Sequence, residues 1–269
     1  MLKDITFGQY FEGNSLVHRL DPRTKILLLI LIIVFLFIST NPFAFLLSVA
    51  FTITVMLVSR VPFRMFLKNI KAILPILIFT ALINVFYDNG GTLLFSIWKL
   101  TVTTGGLWRA FYMAARIMLL ILVSSVLTYT TTPNDLTDAI ECLLFSLKFI
   151  GLKNAVHTLA MMMTIALRFI PTLVEETEKI MNAQKARGAD LENGKIIERI
   201  KALIPILIPL LISSVRRAYE LAEAMECRCY NGGEGRKRMK QLRFGMRDLW
   251  SSLFCLLFCA GIILIKIFL

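Results

Sequence analysis

Apolar residues run almost unbroken from Ile26 to Val58, with Thr40-Asn41-Pro42 as the one clear interruption. Crossing a hydrocarbon core about 30 Å thick takes about 20 such residues in a helix, so this run is too long for a single crossing. The Asn-Pro pair is a turn signal. The pattern therefore predicts two short helices, about 24–40 and 43–59, joined by a tight hairpin. In the next stretch Arg60, Arg64, Lys68 and Lys71 alternate with apolar residues at helical spacing, as in an amphipathic segment lying on an anionic leaflet. A third span follows at about 72–87, with Pro75 near its start, and Asp88-Asn89-Gly90-Gly91 makes a loop. Residues 92–106 are mixed and rich in Thr and Gly, which reads as a re-entrant or interfacial stretch. A fourth span covers about 108–129, and a last one lies within 245–269, starting near residue 249.

Composition agrees with this pattern. Of 269 residues, 57% are hydrophobic and 18% charged, and the mean hydropathy is +0.72. Soluble domains hold less apolar and more charged material, so a soluble enzyme, a disordered chain and a disulfide scaffold are excluded. The net charge is +12, with an isoelectric point near 9.7. In a membrane protein this excess reflects basic cytoplasmic loops, and no basic stretch is interleaved with aromatics as nucleic-acid binding requires. The basic segments 19–25, 60–71 and 236–247 then lie inside, which makes the N-terminus cytoplasmic and puts 40–42 and 88–91 outside. The polar stretch before Ile26 lacks the form of a cleavable signal, so the first span is expected to be retained. The expectation is an all-α membrane protein with about five transmembrane helices plus cytoplasmic amphipathic helices. Residues 1–131 form its N-terminal membrane region, 132–244 a cytoplasmic insertion and 245–269 the final span.

The insertion has its own texture. Thr131-Thr132-Pro133-Asn134-Asp135 is a helix start in which Asn134 or Asp135 caps a helix of about 135–149, ending at Gly151. A longer helix runs from Lys153 to Lys185, apolar and Met-rich through Ile170 (Met161-Met162-Met163), then acidic after Pro171. Glu175 and Lys179 form a favourable i,i+4 pair there. It stops at Ala186-Arg187-Gly188. A third helix repeats the design: charged from Lys195, apolar with Pro205 and Pro209, then Arg216, Arg217, Glu220, Glu223 and Glu226, ending at Cys227-Arg228-Cys229-Tyr230. Arg187 and Arg228 are 41 residues apart, and each stands between small residues at the end of an acidic helix. A C-terminal cation before a Gly cap is ordinary when it occurs once. Twice, in the same frame, it marks an arginine standing clear of its neighbours and able to enter a groove on a partner.

Three stretches together resemble the transmembrane T component (EcfT type) of energy-coupling factor transporters. The first is Leu20-Asp21-Pro22-Arg23-Thr24-Lys25, just before the first span. The second is Arg168-Phe169-Ile170-Pro171 with Glu175 and Ala183-Gln184-Lys185-Ala186-Arg187-Gly188. The third is Arg216-Arg217-Ala218 with Glu220-Leu221-Ala222 and Ala224-Met225-Glu226-Cys227-Arg228-Cys229-Tyr230. The likeness covers about residues 6–230. It departs from the family at Cys-Arg-Cys, where Ala-Arg-Gly is usual. The resemblance implies an L-shaped helical subunit of an ABC-type importer in the cell membrane. It joins two cytoplasmic ATPases to a small membrane-embedded S component that captures a vitamin or metal ion. On that reading Arg187 and Arg228, with Ala186, Gly188, Cys227 and Cys229 beside them, anchor the helices on the ATPases. Glu175, Gln184, Glu220 and Glu226 support those helices, Asp21, Pro22, Arg23 and Lys25 form the motif leading into the first span, and no cofactor or metal is needed.

Other readings have less to stand on. The chain has no phosphate-binding G-x-x-x-x-G-K-[ST]; Gly232-Gly233-Glu234-Gly235-Arg236-Lys237 has the wrong spacing and reads as a linker. Glu175-Glu176 lacks the arginine that paired-glutamate membrane proteases place four residues on, and His18 and His157 form no H-E-x-x-H. Cys227 and Cys229 are spaced too closely for zinc ligands, and Cys255 and Cys259 read as small packing residues. A self-contained carrier or channel would need intramembrane charges. Arg109 and Arg116 are the candidates, without an acidic partner deep in a span.

Overall fold

A computed structural model describes residues 10–87, 92–97, 100–145, 153–189, 196–231, 242 and 244–268. Its elements are α1 (Pro22–Ile38), α2 (Pro42–Ser59), α3 (Phe63–Tyr87), β1 (Leu93–Ile97), β2 (Leu100–Thr103), α4 (Thr104–Thr130), α5 (Pro133–Phe145), α6 (Lys153–Ala186), α7 (Ile196–Glu226) and α8 (Met246–Phe268). They fall into two compact units. One comprises Gly8–Ala139 with Leu242–Leu269, and the other is built on Ile140–Gln241.

Among the described residues, six helices are long and apolar enough to cross a membrane: α2, α3, α4, α6, α7 and α8. The chain is an all-α membrane protein, and about five spans is roughly consistent with that number. Helix α1, with 17 residues, stands at the lower limit of length. Helices α6 and α7 reach the requirement through their apolar halves.

In the first unit α1, α2, α4 and α8 share a core of Ile32, Leu36, Phe51, Leu119, Phe258 and Ile262. Lipid tails are as apolar as leucine, so packing rather than exclusion from water must hold such helices together. Helix α2 meets this with a stripe of small residues at i, i+4 and i+8: Ala44, Ser48 and Thr52 are all essentially buried. Their hydroxyls are satisfied within the helix, Ser48 donating to the Ala44 carbonyl (2.9 Å) and Thr52 to the Ser48 carbonyl (2.8 Å). Phe51 stacks on Phe258 with ring centroids 4.0 Å apart. Gly261 of α8 lies so close to Leu47 that an added Cβ would stand 3.1 Å from its Cδ2.

Several boundaries differ from those expected, each for a local reason. No breaker separates Phe63 from Pro75, so the amphipathic stretch from Phe63 to Lys71 and the span 72–87 are one helix, with Pro75 inside it. Ahead of Thr104 the described part of 92–106 is extended rather than helical. Leu93–Ile97 and Leu100–Thr103 pair as an antiparallel hairpin, with Leu93 opposite Thr103 and an irregularity between Leu93 and Phe95. Thr103 then caps α4, its hydroxyl oxygen accepting from the Gly106 N–H at 3.1 Å. Helix α5 is capped by Thr132 rather than by Asn134 or Asp135. Pro133 takes the first helical position, and the Thr132 hydroxyl oxygen accepts from the Asp135 N–H at 3.1 Å. The last helix begins at Met246, three residues before the expected start. The loop 88–91, the end of the 135–149 helix at Gly151 and the 232–237 linker lie outside the described residues.

Candidate functional site

Helices α6 and α7 end in the same way. After α6 the Gly188 N–H donates to the Lys185 carbonyl (3.0 Å) and the Ala189 N–H to the Gln184 carbonyl (3.0 Å), with Gly188 left-handed at φ +85°. After α7 the Cys229 N–H donates to the Glu226 carbonyl (2.8 Å) and the Tyr230 N–H to the Met225 carbonyl (3.0 Å), with Cys229 left-handed at φ 54°. Both patterns are the 6→1 and 5→2 pair of a Schellman cap. Arg187 and Arg228 thus occupy one geometric position, the last residue before the chain reverses. Cys229 stands where the first cap has Gly188, so replacing Gly by Cys leaves the cap unchanged.

Both arginines are exposed, as are Ala186, Gly188, Cys227 and Cys229 around them. Glu175, Glu220 and Glu226 are also exposed, whereas Gln184 is half-buried and its amide donates to the Pro205 carbonyl at 3.4 Å. That contact belongs to a helix pair whose central polar contact sequence reasoning missed. The Glu176 carboxylate is ion-paired with Arg217 and accepts a hydrogen bond from Ser213 at 2.8 Å. Glu176 and Arg217 are 41 residues apart, the same offset as Arg187 and Arg228. Beyond the crossing the Tyr230 hydroxyl donates to the Met161 sulfur at 3.0 Å. Contacts pairing 161 with 230, 176 with 217 and 184 with 205 run in opposite senses along the two helices, so α6 and α7 are antiparallel. Each arginine lies about 16 Å along its own helix from the crossing, and the two stand at opposite ends of the pair.

The motif leading into α1 does other work. Asp21 caps α1, its carboxylate accepting from the Arg23 N–H at 2.9 Å, and Pro22 follows at the first helical position. The Asp21 N–H and the Thr24 hydroxyl both donate to Oδ1 of Asp248 on α8, at 2.8 and 3.0 Å. Oδ2 of Asp248 accepts from the Gly245 N–H at 2.8 Å, the half of a capping box that a first-turn carboxylate supplies. The Lys25 ammonium, 7% exposed, donates to the Thr130 carbonyl (2.8 Å), the Thr131 hydroxyl (3.2 Å) and the His18 carbonyl (3.4 Å). The Thr130 carbonyl and the Thr131 hydroxyl lie at the C-terminal end of α4, where a cation is favoured. Residues 21–25 therefore pin the starts of α1 and α8 to the end of α4. Asp248 was not singled out in the sequence, although an acidic residue in the first turn of an apolar helix is a start signal. Arg116 donates to the Ser39 carbonyl at the end of α1 at 2.7 Å, so it holds helices together rather than lining a path. Cys255 and Cys259 are buried in the helix core, and the described residues contain no group of metal-ligating side chains.

Fold and site define a class: a multi-pass helical membrane protein with a pinned bundle and an antiparallel pair of arginine-tipped helices. Residues 13–240 match the family model described as cobalt transport protein (CbiQ). The chain is 51% identical over 266 residues to the energy-coupling factor transporter transmembrane protein EcfT of Ruminiclostridium cellulolyticum, covering 99% of this chain and 98% of that one. It is 51% identical over 265 residues to the protein of the same name from Clostridium kluyveri (98% and 97%), and 46% identical over 248 residues to that of Bacillus subtilis (92% and 93%). The chain belongs to this family of transmembrane components of energy-coupling factor transporters. The relatives are named as parts of a transporter, which points to a non-enzymatic role.

Proposed function

We propose that this chain is the coupling subunit of an ABC-type importer in the cell membrane, with its N-terminus in the cytoplasm. It transmits movement of two cytoplasmic ATPases to a membrane-embedded S component that delivers a vitamin or metal ion. The observation that carries the reading is the pair of identical caps presenting Arg187 and Arg228 at opposite ends of one antiparallel helix pair. Two ATPases closing on each other need two handles set apart on one rigid lever, and the Glu176–Arg217 crossing supplies the rigidity. The two cap hydrogen bonds fix the backbone that carries each arginine, and the planar guanidinium offers five donors in a fixed fork to a groove. ATP hydrolysis belongs to the partners on this reading, and the chain needs no cofactor. The test is affinity purification from native membranes, wild type beside the Arg187→Glu/Arg228→Glu double variant. Wild type should bring down two ABC-type ATPases and a small membrane protein. The variant should insert normally and lose the ATPases. A wild type that purifies alone and transports when reconstituted alone overturns the proposal in favour of a self-contained carrier.

A further inference from the structure

A groove of about 460 Å³ opens in the membrane unit at the end where α1 and α8 begin and α4 ends. Its walls are almost wholly apolar, among them Ile32, Phe51, Val123 and Phe254, and it extends along α8 from Arg247 to Cys255, about 12 Å at helical rise. Two cations line it, in different states. The Lys25 ammonium is already held by Thr130, Thr131 and the His18 carbonyl. Arg247 is exposed and has no hydrogen-bond or ion-pair partner among the described residues. Trp250, 68% exposed, stands one helical turn beyond it. An apolar slot with one free guanidinium and an indole at its mouth has the polarity of a single phospholipid. Tryptophan settles at headgroup level, and basic residues there attract anionic lipids.

We propose that this groove seats one anionic phospholipid, its acyl chain along α8 and its phosphate on Arg247. The occupant ties α8 to α1, α2 and α4 on the side where their own packing leaves the slot.

The test uses the full chain with its co-purifying subunits in phosphatidylcholine bilayers, with Trp98→Phe and Trp108→Phe leaving Trp250 as this chain's one tryptophan, and the same assembly with Trp250→Phe added gives the partners' own emission for subtraction. A minor fraction of phosphatidylglycerol or of phosphatidylcholine carries dibrominated acyl chains, which quench a neighbouring indole. The brominated phosphatidylglycerol should associate with the Trp250 site about fivefold more strongly than the brominated phosphatidylcholine, the scale of one basic residue meeting an anionic surface. Arg247→Gln should bring the two level. Thr54→Phe, which fills the groove from its exposed α2 wall and leaves Arg247 in place, should reduce quenching by both. Equal association in the wild type, a preference that survives Arg247→Gln, or a Trp250 shielded from both lipids by a partner protein each overturns the proposal.

Discussion

At the scale of single residues, the two helix caps isolate the effect of one side chain. Cys229 holds φ 54°, a conformation in which a Cβ is crowded and glycine is at ease. Gly188 holds the same place in the other cap. Cys229→Gly should therefore stabilise the purified protein by about 1 kcal/mol, read as a higher melting temperature, without disturbing Arg228. His18 makes a second case. Its Nε2 donates to the Phe11 carbonyl at 2.9 Å, and Nδ1 lies 2.6 Å from the Ser15 hydroxyl, which the neutral ring accepts. Burial, outweighing the Phe11 hydrogen bond and helped by nearby Lys25, lowers its pKa from the ordinary 6.5. The folded form thus binds fewer protons than the unfolded one. Its stabilisation is complete above about pH 6.5 and declines as pH falls from there toward the lowered value. Hydrogen exchange at residues 15–18 should accordingly slow, relative to intrinsic rates, between pH 5.5 and 7. An exchange profile with no such change, or the opposite one, counts against this assignment.

At the scale of elements, two polar contacts decide how helices meet. Asp248 gathers donors from Asp21, Thr24 and Gly245, and so joins helices far apart in the chain. Asp248→Asn turns one acceptor oxygen into a donor facing another donor. It should cost about 2 kcal/mol, seen as a lower melting temperature, with insertion intact. The Glu176–Arg217 pair is partly exposed, at 24% and 35%, so water screens it and it is worth less than the buried contacts of Asp248. Arg217→Glu alone sets two carboxylates against each other at the α6–α7 crossing. The swap Glu176→Arg with Arg217→Glu should restore most of the lost thermal stability, because the pair sits where the two helices meet in opposite senses. If the swap melts no higher than the single variant, the crossing is held by its apolar contacts instead.

At the scale of the whole molecule, the proposed function makes the two arginine tips parts of one lever that act together. Arg187→Glu or Arg228→Glu alone should weaken capture of the ATPases in affinity purification while leaving some associated, and only the pair should abolish it. A charged group lost from a buried interfacial pair typically costs about 2–5 kcal/mol, and one tip remains in each single variant. If either single change abolishes capture as fully as the double, the two ends are not separate handles.

Much of this was legible in the sequence because it is local. Runs of apolar residues define spans, Asp21-Pro22 and Asn41-Pro42 define starts, and Ala186-Arg187-Gly188 defines an end. These depend on residues within about one helical turn. The small departures are local too: Pro133 moved a cap to Thr132, and the absence of a breaker before Pro75 merged a surface segment with a span. What only the tertiary structure decided is which face of each helix meets which. Asp248 finds Asp21 across 227 positions, and Arg217 finds Glu176 across 41. Such partners depend on the rotation and register of rigid helices, and the three-to-four-residue period that announces a helix says nothing about either.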